Sequence, residues 1–380
     1  MRILIAPDKF KGSLTATEAA AAIAEGALRV YPDAVVTRFP IADGGEGTLE
    51  AAVAAGYEER VNAVTGPILK PVGAAWAIRE NSFGGATAVI ETAQASGLAS
   101  MEPTPENSLR AHSYGCGQLI AAALDAGATE IVLGLGGSAM TDGGSGALRA
   151  LGLKPLDASG NVVPLGGGSL AEITALDVSA LDPRLAKTTF RIAVDVRNPL
   201  YGSDGAAHVF GPQKGADADA VELLDAGLRN WASVLREATG RDTNIPGAGA
   251  AGGFPASFLA FTEAQLEGGF ELVAGLTGLE SQLDGADLVI TGEGSLDTQS
   301  LSGKGPIGLA DAARDRGIPV LVVAGRIAVT PEDLAKHGVE GAAQLLDIAQ
   351  KRDGEPDIAD AVANAAKYLA WATSQLLEGA

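Results

Sequence analysis

The chain has 380 residues and a formal net charge of −20, from 27 Lys plus Arg against 47 Asp plus Glu. That surplus excludes a duplex-binding role, which needs a basic face, and disfavours docking on an anionic leaflet. At 47% hydrophobic and 19% charged, the composition belongs to a folded protein, and the single cysteine, Cys116, forbids an intrachain disulfide. No uninterrupted apolar stretch reaches about 18 residues, so no membrane span is expected. The apolar run before Asp8 is too short for a signal peptide. A cytoplasmic α/β protein of two domains is the expectation.

In chain order, Ile3 to Ala6 is a short apolar strand candidate. A helix follows from about Thr15 to Val30, with Thr15 and Glu18 at capping-box spacing. Val35 to Phe39 is a second strand, leading through Ala42-Asp-Gly-Gly-Glu-Gly-Thr48 into another helix. The middle is less regular, with strand candidates at Ala88 to Glu91, Glu130 to Leu135 and Arg191 to Asp195. Asp287 to Thr291 and Pro319 to Ala324 are continuous apolar runs, as in strands buried on both faces of a parallel sheet. Asp357 to Leu377 is alanine-rich and is expected to form one closing helix. The two ends of the chain therefore read as one doubly wound sheet, with a second α/β domain inserted into it.

The 51 glycines cluster after these strands, beside Asp, Glu, Ser, Thr and Lys. The densest cluster is Leu133-Gly-Leu-Gly-Gly-Ser-Ala-Met-Thr-Asp-Gly-Gly-Ser-Gly146, placed between a strand and a helix. Glycine lets backbone approach a phosphate closely, and N–H groups can then hold the anion. A plain packing turn explains such a loop equally well. In the Ala42–Thr48 segment, Asp43 and Glu46 can orient a hydroxyl or a metal, or simply start a helix. Thr291-Gly-Glu-Gly-Ser-Leu-Asp297 and Lys304 place Glu293, Asp297 and a cation at the exit of a buried strand, the edge where open α/β sheets bind ligands. Asp195 stands at another strand end, followed by Phe210-Gly-Pro-Gln-Lys-Gly215.

Of ten lysines, Lys9, Lys11, Lys214 and Lys304 lie in or beside these clusters. Cations and carboxylates on glycine-rich loops are the inventory of phosphoryl transfer. The three histidines, His112, His208 and His337, lack metal-ligand spacing. His112 is read as a satisfied histidine at a helix cap, with Ser113 and Tyr114 in reach of a substrate. Cys116 is read as a small buried residue. A nicotinamide-dependent hydroxy-acid oxidoreductase is the competing class, but the first strand leads to Asp-Lys-Phe-Lys-Gly-Ser and not to G-x-G-x-x-G. A non-catalytic nucleotide-binding protein is a further alternative.

Taken together and in order, APDKFKGS, ADGGEGT, SYGCGQLI, GLGGSAMTDGG, DVRNPL, FGPQKGA, GAGAAGG and ADLVITGEGSLDTQSLSGK resemble the class I glycerate kinases, from Ile3 to beyond Arg326. The resemblance implies an ATP- and Mg²⁺-dependent kinase acting on the 2-hydroxyl of D-glycerate, with phosphorylation of the 3-hydroxyl or of a related sugar acid as the alternative. It implies a flavodoxin-like (Rossmann-like) parallel-sheet domain of roughly residues 1–62 and 283–380. An inserted α/β domain would span 63–282, with the active site in the interdomain cleft. Because such a cleft must neutralise both a carboxylate and a triphosphate, the following roles are expected. Asp195 would accept the hydroxyl proton, with Lys9 and Lys11 facing the carboxylate or the phosphoryl group. Asp8, Asp43, Glu46, Ser113, Tyr114, Asp297 and Lys304 would meet substrate. Gly134, Gly136, Gly137, Ser138, Thr141, Asp142, Gly143, Gly144, Lys214 and Glu293 would hold the nucleotide, and Asp195 and Asp297 the metal. Monomer and homodimer are both open.

Overall fold

The computed structural model describes residues 1–82, 84–298, 300–302, 305–352 and 355–379, apart from the side chains of Ser302, Arg352 and Glu355. The chain divides into two compact units. The first comprises Met1–Asp43, Glu50–Ala55 and Gly269–Ala380, and the second Gly44–Leu49 and Gly56–Gly268.

The first unit is built on a five-stranded parallel sheet among the described residues. Its order is Val339–Gln344, Val320–Ala324, Leu288–Thr291, Arg2–Ile5, Val35–Arg38. In chain order this is 2-1-3-4-5 read from the other edge, the flavodoxin-like winding. Leu288–Thr291 and Val320–Ala324 are buried at every position, which explains their unbroken apolar sequence. Alternate side chains feed opposite faces. Ile3, Ile5, Ile290 and Val323 pack with Ile23 and Leu369, while Leu4, Val289 and Val322 pack with Leu309 and Phe270.

The helix Ala16–Val30 starts as its capping box requires: Thr15 Oγ1 accepts from Glu18 N–H, and a Glu18 carboxylate oxygen accepts from Thr15 N–H. It crosses the helix Ala365–Glu378 at Gly26, where a Cβ would come within 2.2 Å of Ala370 O. The expected single closing helix is two. Asp357 caps Ile358–Ala363, and the chain breaks at Asn364 before Ala365–Glu378. Asn364 spends its side chain on Asp360, which favours the break.

The second unit carries a six-stranded mixed sheet among the described residues. Gln265–Glu267, Thr189–Ala193, Ala128–Gly134 and Ala86–Glu91 run parallel, and the hairpin Pro71–Glu80 and Glu58–Thr65 adds two antiparallel strands. Helices Tyr114–Asp125 and Ala218–Thr239 pack with it around Trp76, Trp231, Phe190 and Phe258, and Cys116 lies inside that core. Burial pushes the Cys116 thiol up to about 12, so it is inert at neutral pH. No helix among the described residues is long and apolar enough to cross a membrane.

Candidate active site

In the first unit, the winding reverses direction between Arg2–Ile5 and Leu288–Thr291, so the loops leaving these two neighbours open a crevice at the carboxyl edge. One loop carries Asp8, Lys9 and Lys11, and the other Glu293 and Asp297. They are laced together: Asp8 N–H donates to Gly292 O at 2.8 Å, and Gly294 N–H to Lys9 O at 3.4 Å. Gly294 is required for this closeness, and Gly292 for the approach of the neighbouring strand Val320–Ala324. A Cβ on Gly292 would fall 1.8 Å from Val323 O, and one on Gly294 3.0 Å from Lys11 N.

The crevice is electrostatically frustrated. Lys9 Nζ lies 3.8 Å from Asp8 Oδ1 and 4.0 Å from Asp43 Oδ1. Asp8 is only 5% exposed, and burial pushes its carboxyl up to about 6, with Lys9 opposing and Asp43 adding repulsion. Burial likewise pushes Glu293 up to about 7; a hydrogen bond from Ser300 opposes, while Asp8, Asp297 and Asp43 repel. Glu293 Oε1 is buried and has no hydrogen-bond partner among the described residues. Carboxylates held against their own repulsion, with one oxygen unsatisfied, suit a hard cation such as Mg²⁺. Among the described residues no three or more His, Cys, Asp or Glu form a ready metal cage. Mg²⁺ does not need one, because it takes one or two carboxylates, water and substrate phosphates. Lys11 is exposed beside the turn at Gly12, and Lys304 lies outside the described residues.

A raised carboxyl pKa sets a sign. The folded state binds more protons than the unfolded chain between about pH 4 and 7, so stability falls as pH rises through that window. Glu293→Gln in metal-free buffer is expected to remove a penalty of roughly 2–3 kcal/mol at pH 8 and almost none at pH 4. Denaturant melts of both proteins at the two pH values check this. An equal effect at both would contradict it.

In the second unit, two glycine loops lie against each other. A Cβ on Gly136 would meet Gly45 Cα at 2.7 Å, and Leu135 N–H donates to Gly44 O. Glu91, at the end of a fully buried strand, accepts from Gly47 N–H at 2.9 Å and Leu49 N–H at 2.8 Å and so holds the second loop. Sequence reasoning missed Glu91; an acid closing the run Ala86–Glu91 was its only signal. Glu46 is exposed on that loop. At the tip of the first loop Gly137 is exposed at φ +69, and the N–H groups of Gly136 and Gly137 reach no acceptor among the described residues. These are the amides an anion can reach.

The rest of that loop is turned inward. Ser138, Thr141 and Asp142 are buried, and the fully enclosed Asp142 carboxylate accepts from Ser113 N–H and Oγ at 2.8 Å each and from Gly144 and Gly146 N–H at 3.1 Å. Gly143 N–H donates to Gly252 O, and Gly143 O accepts from Trp231 Nε1 and Ser257 Oγ. The amides at the start of the helix Ser145–Ala150 are thereby occupied by protein groups, Ala147 N–H by Ser113 Oγ. Lys214 is also interior, 2% exposed, and its ammonium donates to Met140 O at 2.6 Å. Burial pushes its pKa down to about 8, with Asp142 opposing. Ser113, Asp142 and Lys214 thus form one brace beneath the loop, and Tyr114 follows at the helix start.

Asp195 sits half-buried just past the strand Thr189–Ala193. The chain on both sides of it is fixed: Val194 N–H donates to Glu267 O, and Asn198 O accepts from Gly247 and Gly249 N–H.

The chain matches the glycerate kinase family over residues 3–379. It is 45% identical over 348 residues to "Glycerate 2-kinase" of Escherichia coli K12, covering 91% of each chain. It is 43% identical to "Glycerate kinase" of Bacillus subtilis 168, covering 97% of this chain and 95% of that one. A crystal structure described as glycerate kinase 2 from Salmonella typhimurium LT2 superposes with a TM-score of 0.86 at 40% identity, over 100% of this chain and 98% of the other.

Proposed function

The chain belongs to the glycerate kinase family, and on that premise we propose that it transfers the γ-phosphoryl group of ATP to the 2-hydroxyl of D-glycerate in the cytoplasm, giving 2-phospho-D-glycerate and ADP. The observation that carries the chemistry is the crevice of the first unit, where Lys9 stands between Asp8 and Asp43 on loops that also carry Glu293 and Asp297. The 2-hydroxyl specifically is supported by the name of the E. coli relative, glycerate 2-kinase.

Each unit has a distinct task in this reading. The exposed N–H groups of Gly136 and Gly137 take phosphate oxygens of the nucleotide, on a loop kept rigid from below by Asp142 and Lys214. Lys9, with Lys11 nearby in sequence, offsets the charge of the glycerate carboxylate and the moving phosphoryl group. Glu293 and Asp297 would hold Mg²⁺ through their carboxylate oxygens, and the ion would offset the developing phosphate charge. Asp195 accepts the proton of the attacking hydroxyl. Little covalent chemistry is asked of these groups; they position reactants and neutralise charge.

Two results test this. The purified protein given ATP, Mg²⁺ and D-glycerate should release ADP, and chelating the metal should stop it. Lys9→Ala should lower kcat by about 10²- to 10³-fold, the scale of losing one charge-stabilising group. Turnover of Lys9→Ala within threefold of the parent would remove Lys9 from the phosphoryl path.

A further inference from the structure

One short stretch of the second unit bonds to both of its glycine loops. Glu91 closes the strand Ala86–Glu91, and the helix Thr92–Ser96 follows at once. Thr92 Oγ1 donates to Gly134 O at 3.2 Å. Ala139 N–H donates to Ser96 O, and Leu98 N–H to Gly137 O, each at 2.8 Å. Residues 92–98 therefore pin the loop 134–139 along its length. The other loop, Gly44–Leu49, is reached from the same stretch by the Glu91 side chain.

Glu91 is 3% exposed, and a single oxygen, Oε1, accepts from both Gly47 N–H at 2.9 Å and Leu49 N–H at 2.8 Å. The Gln94 side chain also bonds to the carboxylate. Burial pushes the Glu91 carboxyl pKa up and Glu46 adds repulsion, so the surroundings disfavour the negative charge. What this position supplies is an acceptor long enough to reach two amides. The fit around it is tight. A Cβ on Gly134 would lie 3.1 Å from Gly44 O and 3.3 Å from Glu91 Cγ. One on Gly136 would lie 2.7 Å from Gly45 Cα and 2.8 Å from Glu46 N. Any movement of the segment Gly44–Leu49 is thus felt at Gly136.

We propose that Glu91 is a positioning residue for nucleotide binding: its Oε1 seats Gly44–Leu49 against residues 134–137, and so keeps the Gly136 and Gly137 amides open with Glu46 beside them. Glu91 touches no ligand itself. The inference rests on the reading of those two amides as the phosphate site. Without the Glu91 oxygen, the Gly47 and Leu49 amides lose their acceptor, and buried donors without acceptors drive the segment to rearrange. A displacement of about 1 Å in positioning groups is enough to cost up to roughly 10²-fold.

Glu91→Ala, Glu91→Asp and Glu91→Gln test this in steady-state kinetics, with ATP varied at saturating D-glycerate and melting curves as control. Glutamine keeps an oxygen at the same reach and drops the charge; aspartate keeps the charge and withdraws the oxygen by one methylene. The KM for ATP should rise about tenfold or more in the alanine and aspartate variants and stay within about threefold of the parent in the glutamine variant. A partly unfolded preparation lowers kcat and leaves KM unchanged, so a merely structural role would not move this readout. An alanine variant with a lowered melting temperature and an unchanged KM for ATP would overturn the proposal, and so would rescue by aspartate but not by glutamine. If the alanine variant does not fold, the aspartate and glutamine variants still decide. If the parent does not phosphorylate D-glycerate, calorimetry with ATP and Mg²⁺ on the same proteins separates the two ideas. Binding about tenfold weaker in the aspartate variant alone would then uphold the role of Glu91 while the glycerate reading fails. Equal affinities, or no binding to the parent, would overturn it.

Discussion

Asp142→Ala is expected to cost the protein roughly 4 kcal/mol of stability, a large share of what a native protein typically has. The carboxylate is completely enclosed and accepts four hydrogen bonds, from Ser113 N–H, Ser113 Oγ, Gly144 N–H and Gly146 N–H. Alanine strands those donors in the interior, and each orphaned donor costs about 1–3 kcal/mol. The losses are not additive, because the loop relaxes and some donors find water, so the total is held to the lower end of the sum. Lys214 would also lose the carboxylate that favours its charged form. Asp142→Asn keeps one acceptor oxygen and should lose about half as much. Urea melts of the three proteins measure this. A loss below 1 kcal/mol for the alanine variant would mean that the brace does not carry the loop.

Asp195→Asn should leave the fold intact and lower kcat by about 10²- to 10⁴-fold, the range for removing a general base. The neighbours of Asp195 are held by backbone bonds that the substitution does not touch, Val194 to Glu267 on one side and Asn198 to Gly247 and Gly249 on the other. Asparagine conserves volume but cannot take a proton. The KM for ATP should stay within about threefold, since that side chain is assigned no role in nucleotide binding. Steady-state kinetics with a melting curve as control decide it. A kcat within tenfold of the parent would return Asp195 to a structural role and move the proton elsewhere in the site.

The first unit was legible because its code is local. Asp287–Thr291 and Pro319–Ala324 are apolar at every position since both faces are covered, and Thr15 with Glu18 announces a helix start that needs no tertiary contact. The edge strand Val339–Gln344 escaped notice, because a half-exposed Val-Glu-Gly-Ala-Ala-Gln carries no such run. The antiparallel hairpin of the second unit escaped as well: Glu58–Thr65 is largely polar and gains its regularity from pairing with Pro71–Glu80.

The candidate site divides along the same line. Motif order picks out Asp8, Lys9, Glu293 and Asp297, which share strand exits in the structure. Nothing local says that Asp142 and Lys214 are interior, because the groups that hold them, Ser113 for Asp142 and Met140 O for Lys214, lie far away in the chain. The sequence alone leaves the glycine loop open between a phosphate cradle and a packing turn. Only the segment at Gly136 and Gly137 is open, and the remainder is spent on packing. The acidity of the chain acquires a local meaning in the crevice, where Asp8 and Glu293 are driven above their usual range by burial and by neighbouring carboxylates, Asp43 in both cases.

The central claim is phosphoryl transfer from ATP to the 2-hydroxyl of D-glycerate. The most direct measurement is proton-coupled ³¹P NMR of a mixture of the protein, ATP, Mg²⁺ and D-glycerate. A phosphate ester on the 2-carbon couples to one methine proton and appears as a doublet, growing in step with ADP. That doublet is the predicted result. A triplet, from an ester on the 3-carbon methylene, would contradict the regiochemistry, and no ester signal while ATP and D-glycerate persist would contradict the activity itself.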